Sequence, residues 1–383
     1  MKYRRFGTLD WDVSILGFGV MRLPLVDGNP DELNESESIK MIRYAIDHGV
    51  NYLDLGYPYD MIRHERLTRI ISRALQDGYR QRVKIAASSP LFFIHSSSDF
   101  DGYLNRQLQW LGVDGVDFYL LGWLNRDNWP RLREQGVLPW AEQAITDGRI
   151  EKFGFSFHDD FQGLRTILDD YDSWSLCQFQ FSYMDLEHHP GVGGIKFAAD
   201  RGLAVVAAEP LRGGRLTKTP PETVAKVWRD GDSKGRSPAE WALDWAWNYP
   251  EVSVVVSDMS GMAQVEDNTA FADRGEPDSL SVREVVLISH VREAYNKQKP
   301  LPCTACRACM PCPVGIDVPR IFEIYNDAVI YNDHQTARII YRRERHEMDG
   351  CTECEICSNA CAKGLDLGDY LKRAQLLLAG QEA

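Results

Sequence analysis

The 383-residue sequence has no long apolar run and no excess of basic residues. No segment reaches the roughly 20 apolar residues that a membrane-spanning helix needs, and residues 1–20 contain no apolar stretch ending in small residues, so no secretory signal is predicted. The 43 Lys and Arg are outnumbered by 56 Asp and Glu, which gives a formal net charge of -13. Because nucleic acid and anionic membranes would be repelled by this charge, neither is expected as a partner. These absences together predict a cytoplasmic protein.

Cysteine is almost missing from the first 300 residues, where Cys177 stands alone. The other eight cysteines form two groups of four, namely Cys303, Cys306, Cys309 and Cys312, then Cys351, Cys354, Cys357 and Cys361. In C-x2-C-x2-C runs the first three thiolates hold one iron-sulfur cluster, and the fourth cysteine of each run characteristically binds the other cluster. The spacing therefore predicts two 4Fe-4S clusters, with Cys361 completing the first set and Cys312 completing the second. Zinc sites or, in a secreted protein, disulfides are the alternatives, although two four-cysteine zinc sites would not require triple C-x2-C runs.

The two cysteine runs resemble those of two-cluster bacterial ferredoxins. Two departures are that Ala362 stands where the proline after the last cysteine is usual, and that the first run has two residues before its fourth cysteine instead of three. The segment between the runs has helical periodicity over residues 319–348. This segment is similar to the all-helical ferredoxin type, in which helices bring the two runs together.

A G-x-G-x-x-G motif after an early strand is also missing, which argues against an open doubly wound sheet. Short β-branched runs alternate instead with amphipathic segments. The candidate strands span residues 13–20, 50–57, 83–90, 116–124, 150–157, 176–183, 203–210 and 252–258. Eight strand-helix units with right-handed crossovers predict an α/β fold, a (β/α)8 TIM barrel over residues 1–275. A linker or helix over 276–298 and a small all-helical ferredoxin-like domain over 299–383 complete the predicted organisation.

Five segments of the chain resemble the aldo-keto reductase superfamily, specifically its branch with a C-terminal ferredoxin module. They read GTLDWDVSILGFGVMRLP, NYLDLGYPY, KFGFSFHDD, EPLRGGRL and MSGMAQVEDN. The resemblance covers nearly the whole chain, and it implies an oxidoreductase that acts on a small-molecule substrate at the carboxyl ends of the barrel strands.

The resemblance implies a catalytic tetrad that is only half present. Aldo-keto reductases use an Asp, a Tyr five residues further on, a Lys ending the third strand and a His ending the fourth, and the Tyr hydroxyl donates a proton with the help of the neighbouring cations. Asp54 and Tyr59 match the first two and are the predicted catalytic residues, whereas Ser88 and Gly122 occupy the Lys and His positions. Lys84 lies mid-strand, in the wrong layer to replace the missing Lys. Other candidates for replacing the lost groups are Arg63, His64, His95 and His158.

The resemblance also implies a nicotinamide cofactor across the barrel mouth. The matching positions are Ser156 and Gln178 for the carboxamide, Pro210, Leu211, Gly213 and Gly214 near the pyrophosphate, and Ser257, Gln264 and Asn268 towards the adenosine. Asp258 stands where glycine is usual, Ala208 replaces a stacking Tyr, and no Lys or Arg occurs from residue 257 to 268. A 2'-phosphate would therefore lack its ordinary cation and be repelled by Asp258. These departures argue against NADPH and leave NADH open.

Taken together, the sequence predicts an iron-sulfur oxidoreductase that passes electrons between two 4Fe-4S clusters and a substrate or nicotinamide site at the barrel mouth. An external electron-carrier protein is a candidate partner. The alternative is a non-catalytic electron-transfer or scaffold subunit, whose degenerate barrel docks a redox partner. The loss of Lys and His at positions 88 and 122 is the feature that favours this alternative.

Overall fold

The computed structural model describes residues 1–29, 32–186, 190–232, 234–344, 348 and 350–380. The chain divides into two compact units, one of Met1–Gly214 with Arg236–Val282 and one of Arg215–Gly235 with Arg283–Ala383. The second unit therefore includes a segment that interrupts the first in sequence. None of the helices within the described ranges combines the length and apolarity needed to cross a bilayer.

The first unit is built around a closed barrel of eight parallel strands, which confirms the predicted fold class. An antiparallel hairpin of β1 (Tyr3–Arg5) and β2 (Asp12–Ser14) precedes it. The barrel strands are β3 (Leu16–Gly19), β4 (Tyr52–Asp54), β5 (Lys84–Ser89), β6 (Val116–Leu124), β7 (Ile150–Phe157), β8 (Leu176–Gln180), β9 (Ala204–Ala208) and β10 (Val252–Asp258). The predicted first strand over 13–20 is split, because Ser14 bonds the side chain of Asn51 through its backbone N–H while its hydroxyl donates to the carbonyl of Leu16.

Fifteen α-helices lie within the described residues. In chain order they are α1 (Glu35–Asp47), α2 (Met61–Ala74), α3 (Ser97–Leu111), α4 (Trp129–Glu134), α5 (Val137–Thr146), α6 (Phe161–Asp169), α7 (Gly191–Asp200), α8 (Glu222–Gly231), α9 (Pro238–Trp247), α10 (Met262–Ala272), α11 (Val282–Asn296), α12 (Val318–Ile330), α13 (His334–Arg343), α14 (Ile356–Asn359) and α15 (Leu367–Ala379). Short 3-10 helices span Arg80–Arg82, Leu91–Phe93 and Arg215–Thr217. Polar caps start many of the α-helices; Asp60, for example, accepts the backbone N–H groups of Ile62 and Arg63 at the start of α2.

Alternation along the strands decides which side chains face the barrel axis. A buried cluster fills the interior: Phe6, Val13, Tyr52, Ala86, Phe118, Leu120, Leu176, Ala204, Val206, Val254 and Val256. Because side chains on a strand repeat with period two, the layer above this cluster lies at the carboxyl ends of the strands. We call it the mouth layer, and it consists of Gly19, Asp54, Ser88, Gly122, Ser156, Gln178, Ala208 and Asp258.

The second unit is helical, and its core is formed mainly by α12, α13 and α15. Arg320 of α12 makes a two-pronged ion pair with Glu344, with N–O distances of 2.9 and 2.6 Å. The segment 215–235 is tied into the same unit by Arg215, which is 6% exposed and lies 3.0 Å from Asp327 and 3.4 Å from Asp333. The cysteine runs occupy loops and the short helix α14 at the edge of this core.

Candidate active site and cluster ligands

Asp54 lies at the carboxyl end of β4 and is 3% exposed. One carboxylate oxygen accepts a 2.6 Å hydrogen bond from the backbone N–H of Gly56, and the other accepts a 2.5 Å bond from Nε2 of Gln178. Burial raises the pKa of Asp54 to about 6, although both hydrogen bonds favour the carboxylate. This group can therefore gain or lose a proton close to neutral pH.

Asp258 brings a second carboxylate into the mouth layer at the end of β10. It lies over Gly19, where a Cβ atom would clash with Oδ1, and it accepts a 3.1 Å hydrogen bond from the backbone N–H of Met21. Nε of Arg22 lies 3.9 Å from Oδ2. Burial raises the pKa of Asp258 to about 6; Arg22 opposes the rise, and repulsion from Asp54 and Glu209 adds to it. The sequence identified Asp258 but missed Arg22, whose position depends on the fold of the loop after β3.

The space beside Gly122 is occupied by the ring of Tyr57. A Cβ atom on Gly122 would clash with this ring and lie 2.8 Å from the carbonyl oxygen of Ser89. The hydroxyl of Tyr57 accepts a 3.0 Å hydrogen bond from the backbone N–H of Phe92, which holds the ring in place. The small residue at the family's His position therefore makes room for Tyr57, a residue that the sequence analysis did not single out.

Tyr59 belongs to a cluster of aromatic rings at the same end of the barrel. Its ring centroid lies 4.7 Å from that of Tyr57, 6.4 Å from Phe92 and 5.8 Å from Trp123. Trp123 also stacks on His158, with centroids 3.9 Å apart and planes 12° apart. The predicted candidates Tyr59 and His158 are thus brought into one aromatic cluster.

The other candidates for replacing the missing Lys and His lie elsewhere. His64 is 2% exposed, and its Nε2 lies 3.1 Å from Nε2 of Gln107, which also donates to the carbonyl of Ser88. Burial lowers the pKa of His64 to about 4, so the ring is neutral and accepts the amide N–H. Lys84 pairs with Glu151 at 2.7 Å, at the amino ends of the strands. Arg63 stands in the first turn of α2, where its backbone N–H donates to Asp60, and His95 is exposed near the start of α3.

The predicted carboxamide ligands Ser156 and Gln178 are adjacent in the register of β7 and β8. The hydroxyl oxygen of Ser156 accepts a 2.8 Å hydrogen bond from the backbone N–H of Trp123. Gln178 donates to Asp54 as given above. The hydroxyl proton of Ser156 and the amide oxygen of Gln178 have further hydrogen-bonding capacity.

The loop after β9 carries the predicted pyrophosphate region. Pro210 is buried, Leu211 is half-buried, and Gly213 and Gly214 have φ of +67° and +86°, which glycine adopts freely. Buried Arg212 pairs with Asp185 in the loop after β8, which fixes the start of the turn. The guanidinium of Arg22 lies against Gly213, where a Cβ atom would approach it to 2.7 Å.

The predicted adenosine-side residues are engaged in local hydrogen bonds. Ser257 is 2% exposed and its hydroxyl oxygen accepts a 3.3 Å bond from Nδ2 of Asn268. Oε1 of Gln264 accepts a 2.8 Å hydrogen bond from the backbone N–H of Ser260. These bonds hold α10 against the end of β10.

Two cavities in the second unit are lined by cysteines. One contains Cys303, Cys306, Cys309 and Cys361. The other contains Cys312, Cys351, Cys354 and Cys357, with Cys309 also on its wall. The four cysteines named first for each cavity are those that the spacing rule assigns to one cluster, and a set of four thiolates is the usual donor set for a 4Fe-4S cluster. The residues present therefore fit the clusters, with Cys309 between them; the ligand assignment itself stays a prediction.

The backbone turns in the same way around both cysteine runs. Ala305 and Arg307 have φ of +52° and +57°, and at the equivalent positions of the second run Glu353 and Glu355 have +53° and +57°. The N–H of Ala305 lies 3.4 Å from the sulfur of Cys303. A left-handed residue costs an L-amino acid about 1–2 kcal/mol, so four such residues at matching positions indicate that the cysteine geometry dictates the backbone.

The barrel, its polar mouth and the helical cysteine-rich unit define an oxidoreductase joined to an iron-sulfur module. A family model described as Aldo/keto reductase family matches residues 15–285, and one described as 4Fe-4S dicluster domain matches residues 302–366. The chain belongs to the aldo/keto reductase family and carries a 4Fe-4S dicluster domain. These matches confirm the predicted family, its iron-sulfur branch and the two 4Fe-4S clusters as cofactors.

Relatives support the barrel fold over most of its length. An uncharacterized oxidoreductase of Bacillus subtilis is 23% identical over 331 residues, covering 78% of this chain and 99% of the relative. The L-galactose dehydrogenase of Arabidopsis thaliana is 22% identical over 298 residues, covering 70% of this chain and 88% of that protein. A solved aldo-keto reductase from Klebsiella pneumoniae in complex with NADPH has a TM-score of 0.61 at 19% identity, covering 76% of this chain and 95% of the solved chain.

Proposed function

We propose that this protein passes electrons between its two 4Fe-4S clusters and a small-molecule or nicotinamide site at the carboxyl-terminal mouth of the barrel. The observation that carries the proposal is the presence, in one chain, of an aldo/keto reductase barrel and two cavities with four predicted cluster ligands each. One cluster would be held by Cys303, Cys306, Cys309 and Cys361, and the other by Cys312, Cys351, Cys354 and Cys357. When bound, these clusters supply one-electron transfer.

We assign proton transfer at the mouth to Asp54, with Tyr59 as its predicted partner. A general acid or base works best when its pKa is near the working pH, and burial brings the pKa of Asp54 to about 6. Ser88 and Gly122 supply neither the ammonium nor the imidazole that assists the Tyr hydroxyl in the family. The mouth is therefore better suited to reactions in which Asp54 moves the proton than to ordinary carbonyl reduction.

The mouth fits the nicotinamide end of NAD(P)H better than its phosphate end. The hydroxyl of Ser156 can donate and the amide oxygen of Gln178 can accept, which complements a carboxamide. At the other end Asp258 opposes an anion, and Arg22 is the cation beside it. Because residues 257–268 contain no Lys or Arg, we expect weak binding of NADH and weaker binding of NADPH.

The first test is an anaerobic optical titration of the purified, iron-loaded protein with NADH, then NADPH, then dithionite. Loss of cluster absorbance with NADH would support a nicotinamide site that exchanges electrons with the clusters. A Gln178→Leu variant should slow this bleaching and leave the dithionite reaction unchanged. If only dithionite bleaches the clusters, NADH and NADPH are excluded as electron donors, and an electron-carrier protein remains as the donor. If no reductant bleaches the clusters, the proposal is overturned.

A non-catalytic electron-transfer or scaffold subunit is the second candidate function. It is favoured by the ring of Tyr57, which fills the space beside Gly122 where the family places a catalytic His. The two functions differ in what Tyr59 does. In a catalytic mouth, Tyr59→Phe should alter turnover at unchanged cluster content, whereas a scaffold would show no dependence of electron transfer on this hydroxyl.

A further inference from the structure

The mouth has a compact aromatic side, which we call the aromatic wall and which consists of Tyr57, Tyr59, Phe92 and Trp123. All six pairs of these rings are in contact, with centroids between 4.7 and 6.4 Å apart. The rings come from the loops after β4 and β5 and from the end of β6. Phe92 is 40% exposed, and Tyr59 and Trp123 are half-buried, so the wall offers ring surface to a ligand.

The local backbone fixes this wall in position. Trp123 has φ of +62°, a conformation that is strained for a residue with a bulky side chain. Its N–H donates to Ser156, and its carbonyl accepts a 2.9 Å bond from Nδ2 of Asn128. The ring of Tyr57 packs against Gly122, as described above. Strain of this kind, held by Ser156 of the neighbouring strand β7 and by Asn128 in the loop after β6, is typical of functional sites.

The mouth also carries negative charge. The mouth layer contains two carboxyl groups, Asp54 and Asp258, and none of its eight members is cationic. Glu209 is exposed at the end of β9 and is close enough to Asp258 to raise its pKa. Carbonyl reduction develops negative charge on oxygen, which donors and cations must stabilise. Arg22, 3.9 Å from Asp258, offsets part of the negative charge, whereas the hydrogen bonds that Asp54 accepts from Gly56 and Gln178 come from neutral groups. The carboxylates of the mouth layer therefore favour a cation over an oxyanion.

We propose that the substrate bound at the mouth is an organic cation with a quaternary or iminium-type nitrogen, held by the aromatic wall and by the carboxylates of Asp54 and Asp258. The proposal rests on the proposed function of the mouth as the substrate site. Aromatic faces attract such cations within about 6 Å of the ring centroid. Carboxylates add attraction that a neutral ligand of the same shape does not receive.

Choline and its neutral isostere 3,3-dimethylbutan-1-ol test the proposal, because they differ only in the replacement of the quaternary nitrogen by carbon. Their binding to the full-length, iron-loaded protein can be measured by titration calorimetry without any turnover. We expect choline to bind at least about tenfold more tightly, as the attraction of one or two rings would give. Equal affinities, tighter binding of the alcohol, or no detectable binding of choline would each overturn the proposal.

Matched variants locate the binding site. Phe92→Leu should reduce the preference for choline several-fold, whereas Phe161→Leu, on α6, should leave it unchanged; both phenylalanines are 40% exposed. Asp258→Asn should reduce the preference further and lower its dependence on salt. A preference that survives both Phe92→Leu and Asp258→Asn would place the cation elsewhere and overturn the proposal. The outcome is separate from the cluster titration, which tests electron transfer without an organic cation.

Discussion

Gly122 stands where the family has a catalytic His, and the loss of that side chain changes which residue occupies the space beside it. The sequence showed that the family's His was missing there, but it did not show what occupies the space beside Gly122. The ring of Tyr57 fills that space, so we expect that a His side chain at position 122 would require Tyr57 to move. The identity of single residues was readable from the sequence, but the position of Tyr57 depends on a loop whose path only the fold defines.

The raised pKa of Asp54 predicts a pH dependence of stability. The ordinary pKa is 3.8 and the folded value is about 6, so the folded protein holds this proton more tightly than the unfolded chain. The resulting stabilisation, at most about 3 kcal/mol, is fully present below pH about 4 and is lost as pH rises through about 6. Asp54→Asn should therefore reduce the fall in thermal stability between pH about 4 and 6, as followed by tryptophan fluorescence.

The control for this measurement is Asp10→Asn, since the side chain of Asp10 is 98% exposed. This variant should keep the slope of the natural protein. Parallel pH profiles for Asp54→Asn and the natural protein would contradict the assignment of the dependence to Asp54.

Among the elements, strands were predicted more accurately than their junctions. All eight barrel strands lie within the predicted segments, because β-branched runs between amphipathic helices mark buried parallel strands. The split of the first segment into β2 and β3 was missed, since the bonds of Ser14 to Asn51 and Leu16 do not appear in a pattern of apolar residues. Likewise, the left-handed residues between the cysteines are Ala, Arg and Glu, which carry no local turn signal.

The crossed arrangement of the cysteine runs predicts a selective loss. Cys361 and Cys312 each line the cavity that contains the three leading cysteines of the other run. Cys361→Ser should therefore impair the cluster at Cys303, Cys306 and Cys309 and largely spare the other. Iron analysis and low-temperature electron paramagnetic resonance of the reduced protein would show about one cluster signal in place of two.

Buried Cys177 in the barrel provides the matched control for this substitution. Cys177→Ser should retain the full iron content. If Cys361→Ser instead impaired the cluster that contains Cys351, the crossed assignment would be wrong.

At the scale of the whole molecule, the sequence predicted two functional parts: a barrel domain and, after it along the chain, a ferredoxin-like domain. The structure groups residues 215–235 with the cysteine-rich helices, although they lie between two parts of the barrel in sequence. This membership depends on ion pairs between residues more than 100 positions apart, as in the bond of Arg215 to Asp327. Such pairing has no local signature, so it could not be derived from composition or periodicity.

The buried pairing of Arg215 predicts a loss of stability of the iron-sulfur unit. Arg215→Met would remove the cation that pairs with buried Asp327 and Asp333, and breaking a buried ion pair by removing one partner typically costs about 3–5 kcal/mol. Thermal loss of cluster absorbance should then occur at a clearly lower temperature. Lys218→Ala is the control, because the Lys218 side chain is 51% exposed and its pair with Asp333 should contribute about 1 kcal/mol or less. Equal effects of the two variants would contradict a special role for Arg215.

The division of the chain also bears on how such a protein could arise. Joining a ferredoxin gene to the end of a barrel gene would add the helices after residue 283, but it would not provide Arg215–Gly235, which belongs to the same compact unit. A fusion of this kind would therefore account for the second unit only if the segment after β9 also came to pack with the added helices. A truncated product ending before the cysteines would keep that internal segment without its partners in the same unit, such as Asp327 beside Arg215.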